Sequence, residues 1–286
     1  MGLFNKAEKQ TEPQWFVSAT GDKTYNYKVY YMSRQEKLLY GLGAFVVGAF
    51  VGYLFYGGLG KDADGNPTST TWILNILVGL IVGIITVIIF LPIRTRQIQV
   101  KKQNDLKLQF RELLDALTTS IGSGHNVFDS FINAKNDMSI IYSENTSIIR
   151  ELKIILNGLN NNINIETMLL DLGERSGVED IMGFANVFDT CYRKGGNLKD
   201  VIRNTQQIIT EKMEIEQEIQ TMVSGKKNEQ SIMMLMPIFL VGMIKLMSPD
   251  FAANFTTPAG VASTTIAVVI FFFAYKIGKK ILDIKL

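Results

Sequence analysis

A single histidine, His125, and a single cysteine, Cys191, limit the chemistry this chain can perform. A Cys/His metal cluster needs several such ligands and a disulfide within the chain needs two cysteines, so neither is available. His125 follows Gly124 at a corner, where a cap or a solvent contact is its ordinary use. Cys191 falls on an apolar helix face and reads as a small core residue. The nearest approach to a calcium loop is Asp62-Ala63-Asp64-Gly65-Asn66. Its third ligand is misplaced and its twelfth position is Ile73, which leaves an ordinary turn. No glycine-rich strand-to-helix loop ends in Lys-Ser or Lys-Thr, so the sequence offers no phosphate-binding loop for a nucleotide. Paired acids or a His-metal motif at membrane depth, which an intramembrane peptidase would need, are missing. Together these residues predict no enzyme, no metal and no cofactor.

The elements that would position any remaining chemistry are set by four apolar runs, at residues 38–59, 72–93, 232–247 and 261–277. At about 1.5 Å of rise per residue the first two cross a hydrocarbon core of about 30 Å, and the last two need their flanks to do so. Neither of the first two holds a Lys, Arg, Asp or Glu. The loop between them holds one Lys against two Asp, and residues 248–260 hold no Lys or Arg. Arg94, Arg96, Lys101 and Lys102 follow the second run, Lys226 and Lys227 precede the third, and Lys276, Lys279, Lys280 and Lys285 close the chain. The excess of Lys and Arg on that side predicts a cytoplasmic-membrane protein with both termini and the central block in the cytoplasm. The first 37 residues are polar and mixed in charge, so the first run reads as a spanning helix and not as a cleaved signal. The predicted organisation is an N-terminal arm at 1–37, a transmembrane hairpin at 38–93, a cytoplasmic helical domain at 94–230, a second hairpin at 231–277 and a tail at 278–286.

Small residues recur four apart in the first hairpin, Gly48 with Gly52 and Gly79 with Gly83, which removes side chains where two backbones approach. That spacing serves either dimerisation or packing of the hairpin on itself and its neighbours, and the second is the expectation. Pro237 lies in the third run and should kink it, leaving the carbonyl of Met233 without its usual partner. Met233, Met234, Met236, Met243 and Met247 give that run either adaptable packing or plain lipid-facing bulk. In the arm, Tyr25, Tyr27, Val29 and Tyr31 alternate with Asn26, Lys28 and Tyr30, as a short extended piece or as aromatics resting in the membrane interface. Ser33 and Glu36 have the spacing of a capping box.

The central block holds 17 Lys and Arg against 19 Asp and Glu, a balance that leaves no footprint for nucleic acid. It has no proline, and its apolar residues recur at three and four: Phe110, Leu113, Leu114, Leu117 and Ile121, then Ile181, Phe184, Phe188 and Tyr192. Breaks at 122–124, 158–164, 173–177 and 195–196 divide it into about six helices, an all-α bundle. A faint repeat marks three corners. Gly124-His125-Asn126-Val127 resembles Gly195-Gly196-Asn197-Leu198, and Asn161-Asn162-Ile163-Asn164-Ile165 is a variant without glycine. Each offers a tight turn, an Asn able to cap and a polar first helical turn. Gly124, Gly195, Gly196 and Gly225 are the predicted structural turns. From Asn197 a long helix carries Val201, Ile208, Ile215 and Met222 at sevens, a stripe suited to one neighbour over many turns.

Several of these strings together resemble a known family. Leu169-Leu170-Asp171-Leu172-Gly173-Glu174-Arg175-Ser176-Gly177, then residues 181–188, then Arg193-Lys194-Gly195-Gly196-Asn197-Leu198-Lys199-Asp200-Val201, and the Glu-rich helix entering Met236-Pro237 are similar to the type II secretion F domain. The branch most resembled is the inner-membrane platform of Tad-type (Flp) pili, over roughly residues 110–247. Asn126-Val127-Phe128 departs from the small residue and Leu that often follow the family's first glycine turn. The resemblance implies a platform that engages a cytoplasmic hexameric secretion ATPase, extracts pilin subunits from the membrane lipid, and pairs with a second related platform protein or a copy of itself. Arg175, Arg193, Lys194 and Lys199, read as exposed cations at the corners, become candidates to face acidic surface on that ATPase.

A membrane transporter or channel with a cytoplasmic regulatory domain is the alternative. Transport paths need ionisable or unwound elements near the midplane, and the runs offer only Asn75, Thr86 and Lys245, the last free to snorkel outward or to meet Asp250.

Overall fold

The computed structural model describes residues 12–17, 21, 23–60 and 66–282, and among them the backbone is all-α apart from one small hairpin. The chain divides into two units, one formed by Met32–Arg94 with Ile215–Leu286, the other by Thr95–Glu214 with the residues up to Tyr31. The calcium-like pattern at residues 62–65 and the tail from residue 283 lie outside the described residues, as do residues 1–11 of the arm.

The first unit starts with α1, Arg34–Tyr56. Ser33 Oγ accepts the Glu36 amide at 3.2 Å and Glu36 Oε2 accepts the Ser33 amide at 2.8 Å, so the capping box forms as its spacing predicts. Helix α2 runs Ser69–Gly122 and holds Pro92 inside it. Proline removes one backbone donor and costs a soluble helix about 3 kcal/mol, but in hydrocarbon the remaining groups have no partner outside the helix, so the helix continues. Helix α7 runs Leu198–Met247 around Pro237, and α8, Pro249–Asn254, and α9, Pro258–Leu282, follow it. Four helices, α1, α2, α7 and α9, are long and apolar enough to cross a membrane.

Helices α1 and α2 meet through their small residues. A Cβ on Gly48 would sit 3.2 Å from Gly83 Cα and would press on Thr86 Oγ1, one on Gly52 would meet Val82, one on Gly79 would meet Ala49, and one on Gly83 would meet the Phe45 ring. Both glycine pairs therefore serve close packing of the hairpin on itself.

The second unit is built from residues 95–122 of α2, α3 (Val127–Ile141), α4 (Ser147–Asn160), α5 (Ile165–Ser176), α6 (Glu179–Lys194) and residues 198–214 of α7. Their apolar faces close on one core: Leu106, Phe110, Leu113 and Leu117 from α2, Phe131 and Met138 from α3, and Ile148, Leu152 and Ile155 from α4. Met168 and Leu172 from α5, Phe184 and Phe188 from α6, and Ile202 and Ile209 from α7 complete it. Phe110 and Phe184 meet edge to face at 5.4 Å. Strands β1, Trp15–Val17, and β2, Lys23–Tyr25, form an antiparallel pair with Trp15 opposite Tyr25.

Several sequence expectations need correction. The aromatic arm does not rest at an interface: Tyr25, Tyr27, Val29 and Tyr30 are buried, with Tyr25 and Tyr27 in the helical core. Gly225 makes no turn, because one glycine costs a helix only about 1 kcal/mol and its neighbours propagate helix through it. The seven-residue stripe on α7 is displaced by one position. Ile202 and Ile209 are buried, whereas Ile208, Ile215 and Met222 are more than half exposed. Cys191 is half-buried, not core. A fifth break, Tyr142–Thr146, separates α3 from α4 without any glycine to signal it.

The corner repeat is real at two of its three sites. Asn126 Oδ1 accepts the Asp129 amide at 2.8 Å and Asn197 Oδ1 accepts the Asp200 amide at 3.4 Å, while Asn164 makes no side-chain cap. Gly124 and Gly195 take positive φ, 91° and 73°, and at the third corner Asn162 does so at 59°. Gly196 does not. It is small because a Cβ there would press on Cys191 Sγ.

Candidate functional site

The residues singled out as exposed corner cations separate into two kinds. Arg175 is withdrawn from the surface, with 4% of its area exposed. It lies on the inner face of α5, at the three- and seven-residue spacing from Leu172 and Met168, so its guanidinium enters the core. There Nη2 donates to Glu151 Oε2 at 2.7 Å, Nη1 to Glu151 Oε1 at 3.0 Å and to the Tyr25 carbonyl at 3.0 Å, and Nε to Asp171 Oδ2 at 2.8 Å. The planar fork of arginine suits this two-pronged pairing with a carboxylate. Burial opposes the charge, but the hydrogen bonds and attraction of Glu151 and Asp171 outweigh it and hold the guanidinium above its ordinary pKa.

Tyr27 completes this cluster. Its amide donates to the Arg175 carbonyl at 2.9 Å and its hydroxyl to Glu151 Oε1 at 3.0 Å. Burial, then the Glu151 charge, pushes that hydroxyl far above its ordinary pKa, so it stays a donor. The segment after β2 is thereby stitched to α4 and α5. Gln99 donates to the Lys28 carbonyl, and the Lys102 amine lies 4.4 Å from the Tyr30 ring centroid, which ties the same segment to α2.

The Arg-Ser-Gly string has a structural explanation residue by residue. Arg175 is the core cation. Ser176 Oγ donates to the Gly173 carbonyl at 2.8 Å and accepts the Val178 amide at 3.1 Å. Gly177 caps α5 at a φ of 63°, and a Cβ there would meet the Gln103 amide and the Lys28 side chain.

Arg193, Lys194 and Lys199 remain exposed and flank the Gly195-Gly196 corner, the first two in the last turn of α6 and the third in the first turn of α7. Arg193 Nε lies 2.8 Å from Asp189 Oδ1 and 3.9 Å from Glu166 Oε1. Glu166 is itself buried in the first turn of α5, where the helix N-terminus favours its charge, and its Oε2 accepts no hydrogen bond. Lys199 leans over the end of α2, its amine 3.8 Å from where a Gly122 Cβ would stand, a favourable place for a cation at a helix C-terminus. His125 is exposed at its corner.

Sequence reasoning missed Glu151, Asp171 and Tyr27, and a second bridge in which Asp180 takes Lys107 at 3.3 Å and Lys212 at 2.9 Å, linking α6 to α2 and α7. A signal for Glu151 existed. It falls on the apolar face of α4 between Ile148 and Ile155, where an acid must be paired.

In the other unit the three polar residues singled out above each have a partner. Asn75 Oδ1 accepts the Gly58 amide at 2.9 Å, Thr86 Oγ1 donates to the Val82 carbonyl at 2.8 Å, and Lys245 Nζ donates to the Phe55 carbonyl at 3.4 Å beside the Phe255 ring. The side chain of Asp250, the other partner expected for Lys245, lies outside the described residues. Among the described residues no group of three His, Cys, Asp or Glu side chains converges to hold a metal.

Comparison with known proteins adds no relative: no family model, no curated protein and no solved structure matches this chain.

Proposed function

We propose that this chain is a platform protein of the cytoplasmic membrane. In this reading it belongs to a type IV or Tad-like pilus, or to a type II secretion machine, and couples a cytoplasmic hexameric secretion ATPase to extraction and assembly of pilin. The observation that carries the reading is the Arg-Ser-Gly end of α5 followed by the Gly-Gly-x-Leu opening of α7, inside a helical segment that two apolar hairpins bracket. The helical unit would be the six-helix, F-type domain facing the cytoplasm with both termini. Absence of a phosphate loop in the sequence assigns nucleotide hydrolysis to the partner. Arg193, Lys194 and Lys199 are the remaining cations for an acidic ATPase surface, and Arg175 is removed from that set by its burial.

A transporter is the weaker reading. Asn75, Thr86 and Lys245, the groups a polar path would need, are each hydrogen-bonded to a backbone group.

The test is genetic and biochemical. Cells lacking the chain should lose surface filaments or secretion, and the tagged chain should retain a hexameric ATPase in detergent extracts. Charge reversal at Arg193, Lys194 and Lys199 should weaken that retention and its salt dependence. Normal filaments and secretion in the deletion strain would remove the platform reading.

A further inference from the structure

The cleft between α3 and α4 has a chemistry that none of the preceding roles uses. It is about 280 Å³ in volume and is lined by Phe128, Ile132 and Leu156 together with Lys135 and Lys153. The rest of its lining is amide, from Asn136, Asn157 and Asn160, and no carboxylate lines it. In a block whose acids outnumber its bases, a lining with two cations and no acid is a local departure.

One carboxylate outside the lining reaches a lysine of this cleft. Glu144, in the link between α3 and α4, accepts a hydrogen bond from the Lys153 amine. That bond and the Lys153 charge, with a smaller contribution from Lys135, hold the Glu144 carboxyl below its ordinary pKa. Glu144 is well exposed and so is nearly half of Lys153. An exposed pair of this kind is weak and readily exchanged. The lysines thus attract a carboxylate from the solvent side, and the chain's own Glu144 occupies that position loosely.

We propose that this cleft binds an acidic segment of a partner protein. One apolar anchor side chain enters against Phe128, Ile132 and Leu156, and flanking carboxylates pair with Lys135 and Lys153. The volume, at the low end of ligand pockets, fits a side-chain anchor and not a large cofactor. The three asparagines offer both donors and acceptors to the incoming backbone. Glu144 is the internal competitor, displaced when the segment enters. This site lies on α3 and α4, away from the Gly195-Gly196 corner in sequence, and it does not depend on the platform reading. An intact platform phenotype with no peptide binding would sink this proposal alone.

The test uses the full chain in detergent micelles and a fluorescent amphipathic peptide of about fourteen residues, four helical turns, with leucines on one face flanked by glutamates. Its companion has every Glu replaced by Gln. Anisotropy should show the acidic peptide binding about tenfold more tightly than the neutral one, with the difference shrinking as salt rises. Glu144→Gln should tighten the acidic peptide about threefold, and Lys135→Glu with Lys153→Glu should weaken it at least about tenfold. The milder Lys135→Gln, Lys153→Gln variant should move the same way with an unchanged circular dichroism spectrum. Equal binding of the two peptides, no binding by about 1 mM, or indifference to the lysine changes overturns the proposal. Displacement of the peptide by inorganic phosphate at matched ionic strength overturns it as well, by making the cleft a general anion site.

Discussion

Helices α1 and α4 solve opposite packing problems with the same backbone. Helix α1 buries Ala44, Gly48 and Gly52 and turns Leu38, Leu39, Val46, Val47 and Phe50 outward. Helix α4 buries Ile148, Ile149, Leu152 and Ile155 and turns Asn157 and Asn160 outward. In water, large apolar side chains gain by leaving solvent, about 25 cal/mol per Å² buried, so they define the contact face. In hydrocarbon no such gain exists between helices, and close backbone approach through small residues takes over. Charge follows the same division. The helical unit holds Arg175 and Glu151 in its interior as a satisfied pair, whereas the one lysine within the apolar run of α7, Lys245, reaches a helix-end carbonyl.

The largest effect should come from the helix that belongs to both regions. Helix α7 is continuous from Leu198 to Met247, through Gly225. Two residues inserted after Gly225 rotate everything beyond by about 200°, whereas seven nearly restore the facing with a drift of about 20°. If the helix couples ATPase-driven motion to the membrane, the two-residue insertion abolishes filament assembly and the seven-residue insertion does so far less, at equal protein level. Equal activity of both would make that stretch a tether. The sidedness behind this argument has its own check. In a Cys191→Ala background, Ala253→Cys should react with an impermeant maleimide in intact cells and Asp137→Cys should not, and labelling at Asp137 would invert the assignment.

Next in size are the two packing modes themselves. Arg175→Met leaves Glu151 as a buried charge without its main partner and should cost about 3–5 kcal/mol, seen as a lower melting temperature of the full chain in detergent. Pairing it with Glu151→Gln should recover a large part. In the membrane unit Gly83→Leu drives a side chain into Phe45, an overpacking cost of about 1–3 kcal/mol. If Arg175→Met melts like the parent chain, the helical unit does not depend on its interior ions and the contrast drawn above fails.

How much of this was legible in the sequence follows from which forces act locally. The four spans, the capping box at Ser33 and Glu36, the corners at Gly124 and Gly195, and the four-residue glycine spacings of the first hairpin all depend on neighbours within a turn or two, or on composition, and sequence reasoning reaches them. Long-range pairing was not reachable. Arg175 was read as exposed because its partner Glu151 is 24 residues away and Tyr27 is 148 residues away. The one-position error on α7 has a similar cause, since Ile208 and Ile209 are both apolar and only the packing of Phe184 and its neighbours decides which faces in. Glycine does not by itself decide a turn: Gly195 takes one, whereas α7 passes through Gly225. Gly195→Val should cost about 1–2 kcal/mol through its positive φ, while Gly225→Ala should be neutral or stabilise by up to about 1 kcal/mol.

The smallest expected effect concerns Tyr142, at the break between α3 and α4 that no glycine announces. Its hydroxyl donates to Glu112 Oε2 at 2.7 Å. Burial, then the hydrogen bond and charge of Glu112, push that hydroxyl from its ordinary value near 10 up to about 12. The folded chain therefore keeps a proton that the unfolded chain releases first, so this contribution to stability is complete below about pH 10 and is lost as pH rises toward about 12. Tyr142→Phe should cost about 0.5–1.5 kcal/mol at neutral pH and flatten the alkaline loss over that window. Glu112→Gln should let Tyr142 ionise at lower pH, read as tyrosinate absorbance that Tyr142→Phe removes. An alkaline limb that is the same in all three chains would mean the Tyr142–Glu112 contact does not close α3 onto α2. The break would then be held by the Ile148 amide on Gln109 Oε1, the Glu144–Lys153 pair and the apolar side chains of Met138 and Ile148 on either side of it.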